Sequence, residues 1–175
     1  MNNHAVAEAV DEDSLQVLTF ILDQEIFGAN INHVQEVLEF TGVTRVPKMP
    51  DYMIGVINLR GNVVAVVDLC RQFDMHQQEH TVDTCIVIVE VMIENQLTSL
   101  GLLADAVREV LVLEREHISA PPRIGISVDT RYLCGMGKHG DNFIILLDLA
   151  KLFNLEELEY IGQAQDGGVA SDHTT

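Results

Sequence analysis

A chain of 175 residues with a formal net charge of −17 has few cations with which to neutralise phosphates, which argues against a nucleic-acid ligand and against docking on an anionic membrane surface. Its apolar share of 47% is ample for a packed interior, and with no Trp and few aromatics that interior has to come from Val, Ile and Leu, a composition that favours strands. Three cysteines at positions 70, 85 and 134 are odd in number and far apart, so they read as reduced thiols of a cytoplasmic protein rather than a disulfide framework. The N-terminus lacks the basic start and apolar run of a signal peptide, and no apolar stretch reaches membrane-spanning length.

Residues 1–14 are acidic, polar and without period, and are expected to be disordered. Leu15 to Leu22 reads as a strand, Asp23-Gln24 as a turn and Glu25 to Ile31 as the hairpin partner. Val34 to Phe40 fits a strand or one helical turn, broken by Thr41-Gly42. Pro47 and Pro50 mark a loop leading to a helical turn at Asp51–Met53. Val56 to Arg60 and Val63 to Val67 form a hairpin with Gly61-Asn62 as its two-residue loop, because glycine accepts φ > 0 without strain. Asp68 stands as the N-cap of a short helix that includes Leu69 and Phe73. The polar segment 74–82 links the two halves.

In the second half, Thr84 to Ile93 pairs with Leu97 to Leu103 across a turn at Glu94–Gln96, and Leu111 to Leu113 is a short strand. One helical turn at Glu114 to Ile118 is stopped by Pro121-Pro122. Cys134 to Lys138 and Phe143 to Leu147 form a hairpin with a longer tip, and Asp148 caps a helix from Leu149 to about Ile161, ended by Gly162. Residues 163–175 read as a disordered tail. Many short, closely spaced strands indicate a mainly β class, barrels or a sandwich.

The chain repeats itself. Gly55, Asn62, Asp68 and Phe73 recur as Gly135, Asn142, Asp148 and Phe153 at a constant offset of 80. Gly28 and the run Val34 to Leu38 recur as Gly101 and Val107 to Leu111 at an offset of 73. Two similar modules, approximately 15–73 and 83–153 with strands possibly exchanged between them, are expected to pack as one body, since each is too small for a comfortable separate core.

Arg60 stands out as the only Lys or Arg between Lys48 and Arg71. It is either a solvated loop-end cation or a guanidinium held on a turn to meet a partner's carboxylate. Its equivalent under the repeat is Gly140, so the fold does not demand a base there. Glu36 and Glu109 are equivalent and suggest a shared structural task, such as holding a turn. Asp68 and Asp148 are explained as helix caps rather than a catalytic pair. His76 and His80 have the i, i+4 spacing of metal ligands, but they fall in a polar linker with no further ligand cluster nearby. No phosphate-cradling glycine loop, Cys-x-x-Cys or nucleophile motif is found in the chain.

The segments Phe27-Gly28, Val34-Gln35-Glu36-Val37, Thr44-Arg45-Val46-Pro47, Gly55 to Gly61 and Val67-Asp68-Leu69 resemble the CheW family of bacterial chemotaxis coupling proteins. Gly101, Asp105, Val107, Val110-Leu111 and the Gly135 to Phe153 region extend the resemblance over residues 15–160. It departs at Ala65, where many members carry proline, and at Cys70, where arginine is common and here stands next door as Arg71. The resemblance implies two SH3-like five-stranded barrels packed around a shared core. It implies a non-catalytic adaptor, with no obligatory cofactor and no metal, that joins the histidine kinase CheA to the cytoplasmic tips of chemoreceptors. Such an adaptor is cytoplasmic and recruited to membrane-associated arrays without inserting into the membrane. It further implies a receptor-facing groove at Val34, Glu36, Val37, Arg60, Gly61 and Val107, and kinase contacts at Val43, Thr44 and Gly55.

Three other readings stand beside it: an adaptor of a non-flagellar chemosensory pathway, a small metal-dependent β hydrolase, and an SH3-like binder of proline-rich peptides. The last needs an aromatic-lined groove, and Tyr52, Tyr132 and Tyr160 are scattered along the chain.

Overall fold

A computed structural model of the chain describes residues 13–93, 95–122 and 128–152. Its first half runs β1 (Ser14–Leu22), β2 (Glu25–Asn30), β3 (Val34–Glu39), β4 (Met53–Leu59), β5 (Asn62–Asp68) and the short helix α1 (Leu69–Gln72). The second runs β6 (Cys85–Ile93), β7 (Gln96–Ala104), β8 (Ala106–Glu114), β9 (Ile118–Ser119), β10 (Leu133–His139), β11 (Asn142–Leu147) and α2 (Leu149–Leu152). Among the described residues no helix is long and apolar enough to cross a membrane.

Of the two readings open for Val34 to Phe40, the strand holds, over Val34–Glu39. Three local expectations need correction. Asp51–Tyr52 is a turn leading into β4 rather than a helical turn. The strand expected at Leu111–Leu113 spans Ala106–Glu114, because it pairs along nearly all of β1. The tip of the β10–β11 hairpin is no longer than that of β4–β5: His139 pairs with Asn142 as Leu59 pairs with Asn62. The expected helix beyond Leu152 and the tail at 163–175 lie outside the described residues, as do residues 1–12, while Ser14 already belongs to β1.

The strands form two sheets, one in the order β8-β1-β2-β11-β10-β9 and the other β3-β6-β7-β5-β4. Each sheet draws strands from both sides of the 74–82 linker. The β1–β2 hairpin lies between β8 and β11, and the β6–β7 hairpin lies between β3 and β5. The sequence repeat reappears as register. Val66 pairs with Gly101 across the parallel β5–β7 seam, and Leu146 pairs with Gly28 across the parallel β11–β2 seam; the first residues of these pairs differ by 80 and the second by 73.

Three apolar clusters follow from the two-residue period of a strand. Val64 and Val66 with Ile86 and Ile88 fill the inside of the five-stranded sheet, which curls around them. Val17, Leu113, Ile144 and Leu146 fill the other. The alternate residues Ala65, Val67, Val87, Val89, Ile145 and Leu147 face a third, shared cluster with Phe20, Phe27 and Leu102. Strands buried on both faces need unbroken apolar runs, which is why β5, β6 and β11 read as continuous Val, Ile and Leu. Each fully buried side chain of this kind contributes roughly 1.5–3 kcal/mol. Ring contacts carry the shared core from β1 to α1 and beyond: Phe20 stacks on Phe27 at 6.1 Å, Phe27 on Phe73 at 6.0 Å, and Tyr132 lies tilted against Phe73 at 6.0 Å. The result is a mainly β molecule of two small barrels back to back.

Candidate partner-binding site

The β4–β5 hairpin turns at Arg60-Gly61, not at Gly61-Asn62 as the glycine rule suggested. Both turn residues have positive φ, 52° at Arg60 and 90° at Gly61, as the hairpin turns that follow the twist of paired strands require. Asn58 steadies the turn, its Oδ1 accepting the Gly61 N–H at 2.8 Å. In the other hairpin the equivalent of Arg60 is Gly140, at φ 61°, where the left-handed conformation carries no Cβ penalty. Arg60 holds that conformation at a cost its counterpart avoids, and backbone strain of this kind concentrates at functional positions.

The Arg60 guanidinium does not stand free. Its two terminal nitrogens donate to the two carboxylate oxygens of Glu36, one of them at 3.3 Å. Glu36 lies on β3 and Arg60 at the end of β4, the two outer strands of the five-stranded sheet. The pair therefore clasps the open edges of the sheet together at one mouth of the barrel. The hydrogen bonds from Arg60 hold the Glu36 carboxyl below its ordinary range, against a smaller opposing effect of desolvation, and Glu36 raises the Arg60 guanidinium in turn. The side chains are 70% and 29% exposed, so solvent screens the pair and its value lies in orientation more than in stability. The equivalent Glu109 has Gly140 where Glu36 has Arg60, and it is the Glu109 backbone that is held, by the Thr19 hydroxyl at 2.7 and 3.0 Å. The repeated carboxylate thus does not serve one shared task.

Around Arg60 the mouth forms a depression of about 370 Å³ lined by Gln35, Leu59, Val63, Leu97 and Ser99. Gln35 accepts a hydrogen bond from the Ser99 hydroxyl at 3.0 Å. Val63, Leu97 and its cross-strand partner Met92 are exposed apolar side chains here. Sequence reading passed over all of these. The available signal was Leu97, an apolar residue directly after a polar turn with no periodic reason to be buried.

Val37 is exposed on β3, whereas Val34 and Val107 are only partly exposed and pack against the shared core. The structure brings Glu36, Arg60 and Gly61 together at the mouth. Val34 and Val107 occupy matching positions on the outer strands β3 and β8 of different sheets.

Val43, Thr44 and Gly55 also meet. Thr44 exchanges backbone hydrogen bonds of 2.8 Å each way with Val56, which ties the segment after β3 to β4. A Cβ on Gly55 would lie 2.4 Å from the Thr44 carbonyl oxygen and 3.0 Å from Val43 Cγ2, so only glycine allows this crossing. Thr44 is exposed, Gly55 buried and Val43 half-buried.

Asp68 and Asp148 act as caps. Asp68 Oδ1 accepts from the Cys70 and Arg71 N–H groups at 3.0 and 3.4 Å, and Asp148 Oδ1 from Ala150 and Lys151 at 3.1 and 3.3 Å. The His80 ring packs edge-on against Phe40 at 4.5 Å. Among the described residues no three His, Cys, Asp or Glu side chains are grouped to hold a metal ion. All three cysteines are unbridged, and burial pushes the Cys70 thiol up to about 12.

A family profile described as "CheW-like domain" matches residues 16–157. The chain is 34% identical to the chemotaxis protein CheW of Klebsiella aerogenes over 146 residues, covering 83% of this chain and 86% of that one. It is 27% identical to CheW of Treponema pallidum over 161 residues, covering 91% and 94%. A crystal structure of the scaffolding protein TtCheW from Thermoanaerobacter tengcongensis superposes with a TM-score of 0.72 at 34% identity, covering 82% of this chain and 94% of that one. With its doubled barrels and a family match over most of its length, the chain belongs to the CheW family of non-catalytic chemotaxis scaffold proteins.

Proposed function

We propose that this protein is a cytoplasmic adaptor that couples the chemotaxis histidine kinase CheA to the cytoplasmic tips of chemoreceptors in membrane-associated arrays. The observation that carries the reading is the mouth of the five-stranded barrel. There a strained, exposed arginine is oriented by Glu36 beside the exposed apolar side chains Val63 and Leu97. A rigid guanidinium next to apolar surface suits a helical partner that offers a carboxylate beside a hydrophobic stripe. Val37 and Gly61 belong to this receptor-facing surface, with Val34 and Val107 supporting it from the shared core. Val43 and Thr44 belong to a separate kinase-facing surface, which the buried Gly55 shapes by letting β4 cross close beneath them.

The test is co-purification of the full chain with CheA and a receptor cytoplasmic fragment. A ternary complex with altered kinase activity is the expected result. Failure of the chain to bridge the two proteins would refute the coupling role.

A further inference from the structure

Arg45, Lys48 and Arg71 line one shallow depression of about 200 Å³, which places three of the chain's ten Lys and Arg on one small face of a molecule with net charge −17. This face lies at the end of β4–β5 opposite the Arg60 turn. Arg71 is partly spoken for, its Nε 3.5 Å from Asp68 Oδ2. Among the described residues no carboxylate comes within ion-pair distance of Arg45 or Lys48. Asp51 also borders the depression.

Arg45 lines in addition an adjoining pocket of about 250 Å³, whose apolar wall is Phe40, Val43, Ile54 and Leu103. The two aspartates of that pocket are engaged within the fold. Asp68 caps α1, and Asp105 accepts the Asp23 N–H at 2.8 Å. That leaves Arg45 and Lys48 as the unpaired cations of the rim, with Asp51 beside them. The rim is continuous with the Thr44–Val56 crossing, since Arg45 follows Thr44 and Ile54 precedes Gly55.

We infer that this face receives an acidic segment of the kinase, with carboxylates on Arg45 and Lys48 and one apolar side chain seated against Val43 and Ile54. The inference rests on the coupling role proposed above and supplies the chemistry of its kinase contact. A chain of net charge −17 repels an acidic segment as a whole, so unpaired cations on the contact face set orientation and association rate as well as affinity.

The experiment measures binding of the full chain to purified CheA by surface plasmon resonance at about 50 and about 300 mM salt, where screening differs. A receptor fragment serves as control. Arg45→Glu combined with Lys48→Glu should slow association about tenfold or more at low salt and flatten the salt dependence, with melting temperature and receptor affinity unchanged. Lys48 has φ 62°, so Lys48→Gly removes one charge while relieving the backbone, and should give a smaller loss of kinase affinity in a protein at least as stable. Unchanged kinase binding and salt dependence in the double variant would overturn the inference and leave the coupling role standing. Loss of receptor affinity instead of kinase affinity would also overturn it. A wild-type chain that binds no kinase would sink both.

Discussion

Arg60 meets two opposing demands, and its variants separate them. The left-handed backbone favours glycine at this position, while the clasp to Glu36 and the proposed receptor contact need the guanidinium. Arg60→Gly should therefore leave the melting temperature unchanged or raise it by about 2 °C, the size expected from relieving strain of this order in a chain of this length, yet weaken receptor binding at least tenfold. Exchanging the pair, Glu36→Arg with Arg60→Glu, should restore stability lost in Arg60→Glu alone but not receptor affinity, by calorimetric titration against the receptor fragment. Full rescue by the exchange would mean that the clasp alone matters. Because Arg60 depresses the Glu36 carboxyl below 4.5, the clasp's contribution is fully present above that value and is lost only as pH falls through the depressed one. Receptor affinity should accordingly stay flat across the neutral range.

Asp68 has the opposite sign. Burial raises its carboxyl above 3.8, against the N–H groups of Arg71 and Cys70 and the Arg71 charge that lower it. Its contribution is thus largest at pH below its unfolded value and fades as pH rises through the raised one. Asp68→Asn keeps the capping acceptor without the buried charge and should equal or exceed wild type in thermal unfolding at neutral pH, the difference closing in acid. Asp68→Ala loses the cap and should cost about 1 kcal/mol.

Element by element, the apolar runs and the repeat made most of the fold legible. Offsets of 80 and 73 marked the residues that now pair across two parallel seams, and Asp68 and Asp148 announced their helices. The turn at Arg60-Gly61 was misplaced because glycine advertises positive φ and arginine conceals it. The full length of β8 was hidden because Arg108, Glu109 and Glu114 break its apolar pattern on an outer strand that stays half wet. The Glu36–Arg60 clasp joins residues 24 apart on opposite edges of a sheet, and no local spacing encodes such a contact. Gly28 and Gly101 were visible as repeated letters, and the seams supply their reason. A Cβ on Gly101 would lie 2.7 Å from Ile86 Cγ2 and 3.3 Å from Val66 Cγ2, both inside a full core. Gly101→Ala should therefore cost about 1–3 kcal/mol in chemical denaturation, the range for overpacking a close-packed interior. Gly28→Ala, with contacts of 3.0 and 3.1 Å to Ile144 and Leu146, should cost less.

For the molecule as a whole, exchange of strands across the linker makes the two halves of the chain dependent on each other. The β1–β2 hairpin finds both its sheet neighbours, β8 and β11, beyond residue 82, and β3 and β5 find theirs in β6 and β7. The third apolar cluster draws on both sheets as well. Cutting within the linker, to give fragments 1–78 and 79–175, should leave each fragment without cooperative unfolding. The first would have two hairpins and outer strands with no centre, and the second a β6–β7 hairpin with no flanking strands. Mixing the fragments should restore the native circular dichroism and a single unfolding transition, because every lost strand pairing is intermolecular in the mixture. If either fragment folds alone, the halves carry independent cores and the seam register is not what holds the two barrels together. If the mixture refolds, the strand pairings across the linker are sufficient without chain continuity, and the sheet that carries both the Arg60 turn and Arg45 at opposite ends of the β4–β5 hairpin is assembled by the two halves together.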